Sequence, residues 1–170
     1  MIKNQNLLRP LASLTIFKLG NHSNQEVDRL RLNVRQESKQ CLRWIPNSGD
    51  AQDFADLVNV EYGKVICISL STAGGIGEED DKEINFGLMY IYNFLRVQYE
   101  GRNYRQPFFQ PLPLLARRTE EQMEEEGAIE EMEAQMINIG CVQRFFGDIK
   151  YYANWAKSAT LNRFINRRRM

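Results

Sequence analysis

The stretch with the strongest suggestion of chemistry is "STAGGIGEEDDKE", residues 71–83, where three glycines precede four consecutive acids. A glycine turn between a strand and a helix is where phosphate loops sit, because backbone amides at a helix start attract anions. Here the turn lacks the lysine and hydroxyl ending of a P-loop and the spacing of a dinucleotide fingerprint. Glu78, Glu79, Asp80 and Asp81 stand where the anion would bind and would repel it. They offer oxygens to calcium or magnesium, but an unbroken run fans outward instead of converging on one ion. The plainer reading is an acidic connection stabilised by the positive end of a helix beginning near Ile84, with no metal and no cofactor.

Nucleophilic catalysis has little material. His22 is the single histidine and lies in a polar, turn-like segment, so any Ser–His or Cys–His pair would have to use it. Paired-carboxylate hydrolysis would need acids placed together in space, and abundance alone is no signal. Cys41, Cys67 and Cys141 are odd in number and far apart, which supports buried free thiols in a reducing, intracellular setting. The chain is expected to be non-enzymatic, with no small-molecule substrate.

Two basic features suggest binding. Arg29, Arg31 and Arg35 alternate with Leu30, Leu32 and Val34, and Arg43 follows on the next segment. On a half-buried strand this alternation forms a row of guanidiniums able to fork onto phosphate or carboxylate oxygens. In the C-terminal stretch, Arg144, Lys150, Lys157, Arg163, Arg167, Arg168 and Arg169 interleave with rings, Trp155 among them. Cations with stacking rings suit RNA or another polyanion, or a basic amphipathic helix on an anionic membrane. The plainer alternatives are a solvated strand face and a core-packed helix with a basic end.

The elements that would position these groups read as follows. "SLTIFKL", "VDRLRLNVR" and "QCLRWI" are rich in β-branched and aromatic residues and form an antiparallel meander, with turns at "GNHSNQ" and "QESK". "KVICISL" is continuously apolar and is taken as an interior strand. Asp50 caps a short helix carrying Phe54, Leu57 and Val58 on one stripe, and "INFGLMYIYNFLRVQY" reads as a second helix. Strands first and helices later predict an α+β fold, a mostly antiparallel sheet with helices on one face. Residues 1–100 would be the core, 101–118 a Pro-rich extended arm, and 119–170 a helical extension, the three forming one folded unit. That extension would open on a capping box of Thr119 and Gln122.

The net charge of zero conceals a strong asymmetry. Residues 61–133 hold 7 basic against 15 acidic side chains, whereas residues 134–170 hold 7 against 1. Either the two regions screen each other within one fold, or copies meet acidic surface to basic tail. Phe108, Phe109, Leu112, Leu114 and Leu115 of the arm add an apolar contact surface. The favoured expectation is therefore a structural protein that self-associates as a homo-oligomer, of the kind found in a viral capsid or matrix. A nucleic-acid-binding module is the alternative, and a carboxylate or metal enzyme at the acidic loop the third. No apolar run is long enough for a membrane span, and the first residues make a poor secretion signal.

Overall fold

The computed structural model describes residues 5–16, 25–71, 81–137 and 149–161, and these are almost wholly helical. The order is α1 (Gln5–Thr15), α2 (Gln25–Ser48), α3 (Ala51–Asn59), α4 (Tyr62–Ser71), α5 (Asp81–Glu100), α6 (Pro113–Glu125), α7 (Ala128–Met136) and α8 (Ile149–Leu161). Among the described residues no sheet forms, so the α+β expectation is overturned. The extended pairing there is one isolated bridge, Arg102 with Phe109.

The expected meander fails for a physical reason visible in α2. Both "VDRLRLNVR" and "QCLRWI" lie within this one helix, and the "QESK" turn between them is its middle. That stretch is Gln, Glu, Ser and Lys, with no glycine, proline or asparagine to stop a helix. Glu26 and Asp28 in the first turn complement the helix dipole. Thus Arg29, Arg31 and Arg35 are not a strand face; steps of 100° distribute them around the helix. "SLTIFKL" begins inside α1, and its residues 17–19 lie outside the described residues.

"KVICISL" is helix α4, not an interior strand. It is apolar on several sides because it is central, touching α1, α3, α5, α6 and α7. Val65, Ile66, Cys67 and Leu70 are all buried there. Its first turn runs so close to α6 that a Cβ on Gly63 would meet the Gln122 Oε1 at 3.0 Å and the Thr119 carbonyl at 3.1 Å. Glycine is what permits that approach.

The helix expected after residue 50 forms as the sequence implies. The Asp50 carboxylate accepts from the Gln52 and Asp53 amides at 2.9 and 3.0 Å, and Asp53 accepts in return from the Asp50 amide at 2.8 Å. Phe54, Leu57 and Val58 are then fully buried. The long helix α5 also forms, beginning at Asp81 rather than near Ile84.

The expected arm is shorter and folds back. Residues 101–112 make a hairpin-like excursion, with the Arg102 amide donating to Phe109 and the Phe109 amide to Arg102 at 2.8 and 3.1 Å. Pro113 then opens α6, a position where its missing N–H costs nothing. Thr119 and Gln122 are consequently not a capping box. They are buried mid-helix, where Thr119 Oγ1 donates to Gln98 Oε1 at 3.1 Å and Gln122 Nε2 to the Val58 carbonyl at 2.8 Å. Gly127, left-handed at φ 69°, separates α6 from α7. α8 packs against both α5 and α7, burying Ile149, Ala153 and Ala156.

Candidate functional site

A buried arginine sets the position of the surface cleft. Arg102 is 1% exposed, and its guanidinium donates from Nη1 to the Gly49 carbonyl at 2.7 Å and from Nη2 to the Pro46 carbonyl. It also lies 5.8 Å over the Phe54 ring and 5.0 Å over the Phe109 ring. A cation on the last carbonyls of α2 meets the negative end of that helix. Burial pushes the Arg102 pKa down, with Arg105 adding to the effect. The clamp fastens the 101–112 excursion to the end of α2.

Beside it, α2 and α5 leave two adjoining clefts. One is lined by Asn47, Tyr90, Asn93, Phe94, Tyr104 and Arg105, among others. The second is lined by Gln40, Arg43, Trp44, Asn47, Phe86 and Tyr90. Asn47 and Tyr90 line both, so the clefts are neighbours. Among the described residues no Asp or Glu lines either one. The Arg43 guanidinium sits 4.8 Å over Tyr90 and the Arg105 guanidinium 5.6 Å over Tyr104. Beneath them Phe54 stacks on Phe94 at 5.3 Å, and Tyr62 meets Phe94 edge-on at 5.1 Å. Burial raises the Tyr62 pKa well above the usual phenol range, against an opposing pull from Arg43, so it stays neutral. The described lining offers rings, guanidiniums and amides, which suit binding.

Of the described residues expected to bind, Arg43 reaches this cleft. Arg29 is exposed on α2, Arg31 lies 3.6 Å from Asp28, and Arg35 is buried. Lys150 is exposed on α8, and Lys157 bonds Glu133 at 2.5 Å. Trp155 packs in a ring cluster with Tyr92 and Tyr151 at 4.9 and 4.4 Å. Arg144, Arg163, Arg167, Arg168, Arg169, Glu78, Glu79 and Asp80 lie outside the described residues, as do His22 and Cys141. In the expected arm, Phe109, Leu112 and Leu115 pack on the chain's own core, whereas Phe108 and Leu114 are exposed.

Reading the sequence missed Trp44, Phe86, Tyr90, Asn93, Tyr104 and Arg105. The available signal was the spacing of Phe86, Tyr90 and Asn93, which places them on one side of a helix already expected there. Cys41 is exposed, contrary to expectation, while Cys67 is buried and its thiol is pushed up to about 12, chiefly by burial. Among the described residues no cluster of three ligating side chains could hold a metal, and no helix is long and apolar enough to cross a membrane. The chain matches no family model, and comparison with curated proteins and with solved structures gives no match.

Proposed function

We propose that the protein is a non-enzymatic assembly subunit that pairs with a second copy of itself through α2. One observation carries this reading: although Leu42 and Ile45 pack inward, α2 exposes a second apolar row along its outer face. Leu30 and Val34 are 54% and 48% exposed, Trp44 is 67% exposed, and Val27 and Cys41 are exposed with them. Arg35, Ser38 and Lys39 are buried instead. Positions 27, 30, 34, 37, 41 and 44 alternate steps of three and four, which is the spacing of a two-helix seam. The seam is about 26 Å long at 1.5 Å per residue.

A second copy fits because an identical helix returns the same spacing, as a two-fold interface requires. Glu37 interrupts the apolar row and would face its own copy in a parallel pair. An antiparallel pair in the register of fullest overlap separates the two Glu37 side chains. It sets Trp44 across from Val27 of the second copy, and Leu30 across from Cys41.

The test is mass by light scattering across a concentration series. The wild-type chain of 19.9 kDa should approach twice that mass, with little response to salt. Leu30→Glu with Val34→Glu removes four apolar burials per dimer, on the order of 6 kcal/mol, or roughly ten-thousandfold in Kd. A wild-type monomer at high concentration, or a double variant that still dimerises, refutes the proposal. Leu30→Cys should crosslink to Cys41 of the second copy on mild oxidation if the pair is antiparallel.

A further inference from the structure

We infer that Glu37 makes pairing through α2 proton-gated, so that two copies associate more tightly as the solution becomes more acidic. The inference rests on the α2 pairing proposed above and names what regulates it. Glu37 holds one of the six seam positions and is exposed in the single chain. Among the described residues it makes no ion pair and no hydrogen bond. Three and four residues away on its own helix stand Asn33, Val34, Gln40 and Cys41, none of them a cation. Arg35 and Lys39 are buried on another side of α2. α1 and α3 pack on α2 and bring Arg9, Asp53 and Asp56 as their charged groups. The described charged side chains of α5 are Arg96 and Glu100, which pair with each other at 3.9 Å. None of these meets Glu37.

Pairing changes that environment. In the antiparallel register Glu37 lies across from Val34 of the second copy, in a row otherwise made of Val27, Leu30, Val34, Cys41 and Trp44. The nearest charged groups from the second copy are its Glu37 and Arg31. Each is offset by about 4.5 Å along the axis at 1.5 Å per residue. Arg31 already lies 3.6 Å from its own Asp28. Taking a carboxylate from water into an apolar seam disfavours its charged form, and a second carboxylate close by adds to the effect. The paired state therefore holds protons that the separate chains release. Pairing is strongest at low pH and is lost progressively as pH rises. Two such carboxylates per dimer allow up to about a hundredfold change in Kd per pH unit.

The test is sedimentation equilibrium of the full chain between about pH 5 and pH 8, with circular dichroism checking the fold at each pH. Wild type should pair at least about tenfold more tightly at the acidic end than at the neutral one. Glu37→Gln keeps the shape without the titrating group, and Glu37→Leu completes the apolar row. Both should pair more tightly than wild type above about pH 7, and both should lose most of the pH response. A wild-type dimer whose Kd is indifferent to pH overturns the inference and leaves the pairing itself standing. So does a response that Glu37→Gln retains, since another group would then carry it. A dimer that weakens toward low pH also overturns it, because Glu37 would then be ion-paired with Arg31 of the second copy. If wild type and Glu37→Leu are both monomers at every pH, the pairing through α2 itself fails, and the gate with it.

Discussion

Arg102→Met probes the clamp that holds the cleft's outer wall. Methionine keeps a flexible apolar stem against Phe54 and Phe109 but removes both donors to the Pro46 and Gly49 carbonyls. Each buried acceptor left without a donor costs about 1–3 kcal/mol, so the pair costs roughly 2–6 kcal/mol. Removing a buried cation returns part of this, since its desolvation is no longer required. The expected net loss is about 3 kcal/mol. In a protein of this size that lowers Tm by about 6–12 °C. Urea unfolding followed by circular dichroism measures it, with Arg102→Lys expected between wild type and Met. The amides of Arg102 and Phe109 should also exchange hydrogen faster in the folded state, because the excursion that carries Tyr104 and Arg105 is released. A Met variant within about 0.5 kcal/mol of wild type, or above it, would show that desolvation cancels the hydrogen bonds. The clamp would then not be what positions the wall.

Two further outcomes follow from local geometry. Asp50→Ala should cost about 1–2 kcal/mol by urea midpoint, and Asp50→Asn distinctly less, because the cap accepts two amides. The thiols should separate in a Cys141→Ser background, with Cys41 reacting with a disulfide reagent in the folded chain and Cys67 only on unfolding. Because folding raises the Cys67 pKa from 9.0 to about 12, the folded state keeps a proton that the unfolded state sheds above pH 9. Stability is therefore full below pH 9 and falls as pH rises from 9 toward 12, by up to about 1.4 kcal/mol per pH unit for this group. Cys67→Ala should flatten the decline between pH 9 and 10, and an unaltered slope would refute the assignment.

The parts of the fold that were legible are those where local chemistry and burial agree. Asp50 and the stripe of Phe54, Leu57 and Val58 declare α3 because cap and buried face point to the same helix. In α2 they conflict. Its outward seam carries Leu30 and Val34 and its inner face carries Arg35 and Lys39, so the search for a core-facing stripe met the wrong residues. The chance alternation of Leu30, Leu32 and Val34 with charged and polar neighbours then imitated a strand. α4 was ambiguous in principle, because a short apolar run has no periodicity to separate a central helix from a buried strand. Pro113 falls within the stretch read as an extended arm, yet it stands at a helix start, where proline is tolerated. The cleft depends on Arg102 reaching carbonyls more than fifty residues earlier, and no local pattern encodes that.

The charge asymmetry has a different consequence in the folded chain from the one its sequence suggests. Lys64 bonds Glu126 at 2.8 Å, and Lys157 bonds Glu133 at 2.5 Å, so α4 and α8 each bring a cation to the acidic α6–α7 segment. Arg117 meets Glu121 at 2.9 Å within α6. Part of the acidic middle is thereby answered inside one molecule, and exposed ion pairs of this kind hold little together. Acid-to-base contact between copies is then a weak basis for assembly. The feature left to carry assembly is the apolar seam of α2. Apolar pairing should be nearly indifferent to ionic strength, whereas contact between surface charges should weaken steeply with it. A salt series in which the dimer mass falls steeply would refute this division, since pairing would then be an expression of surface charge.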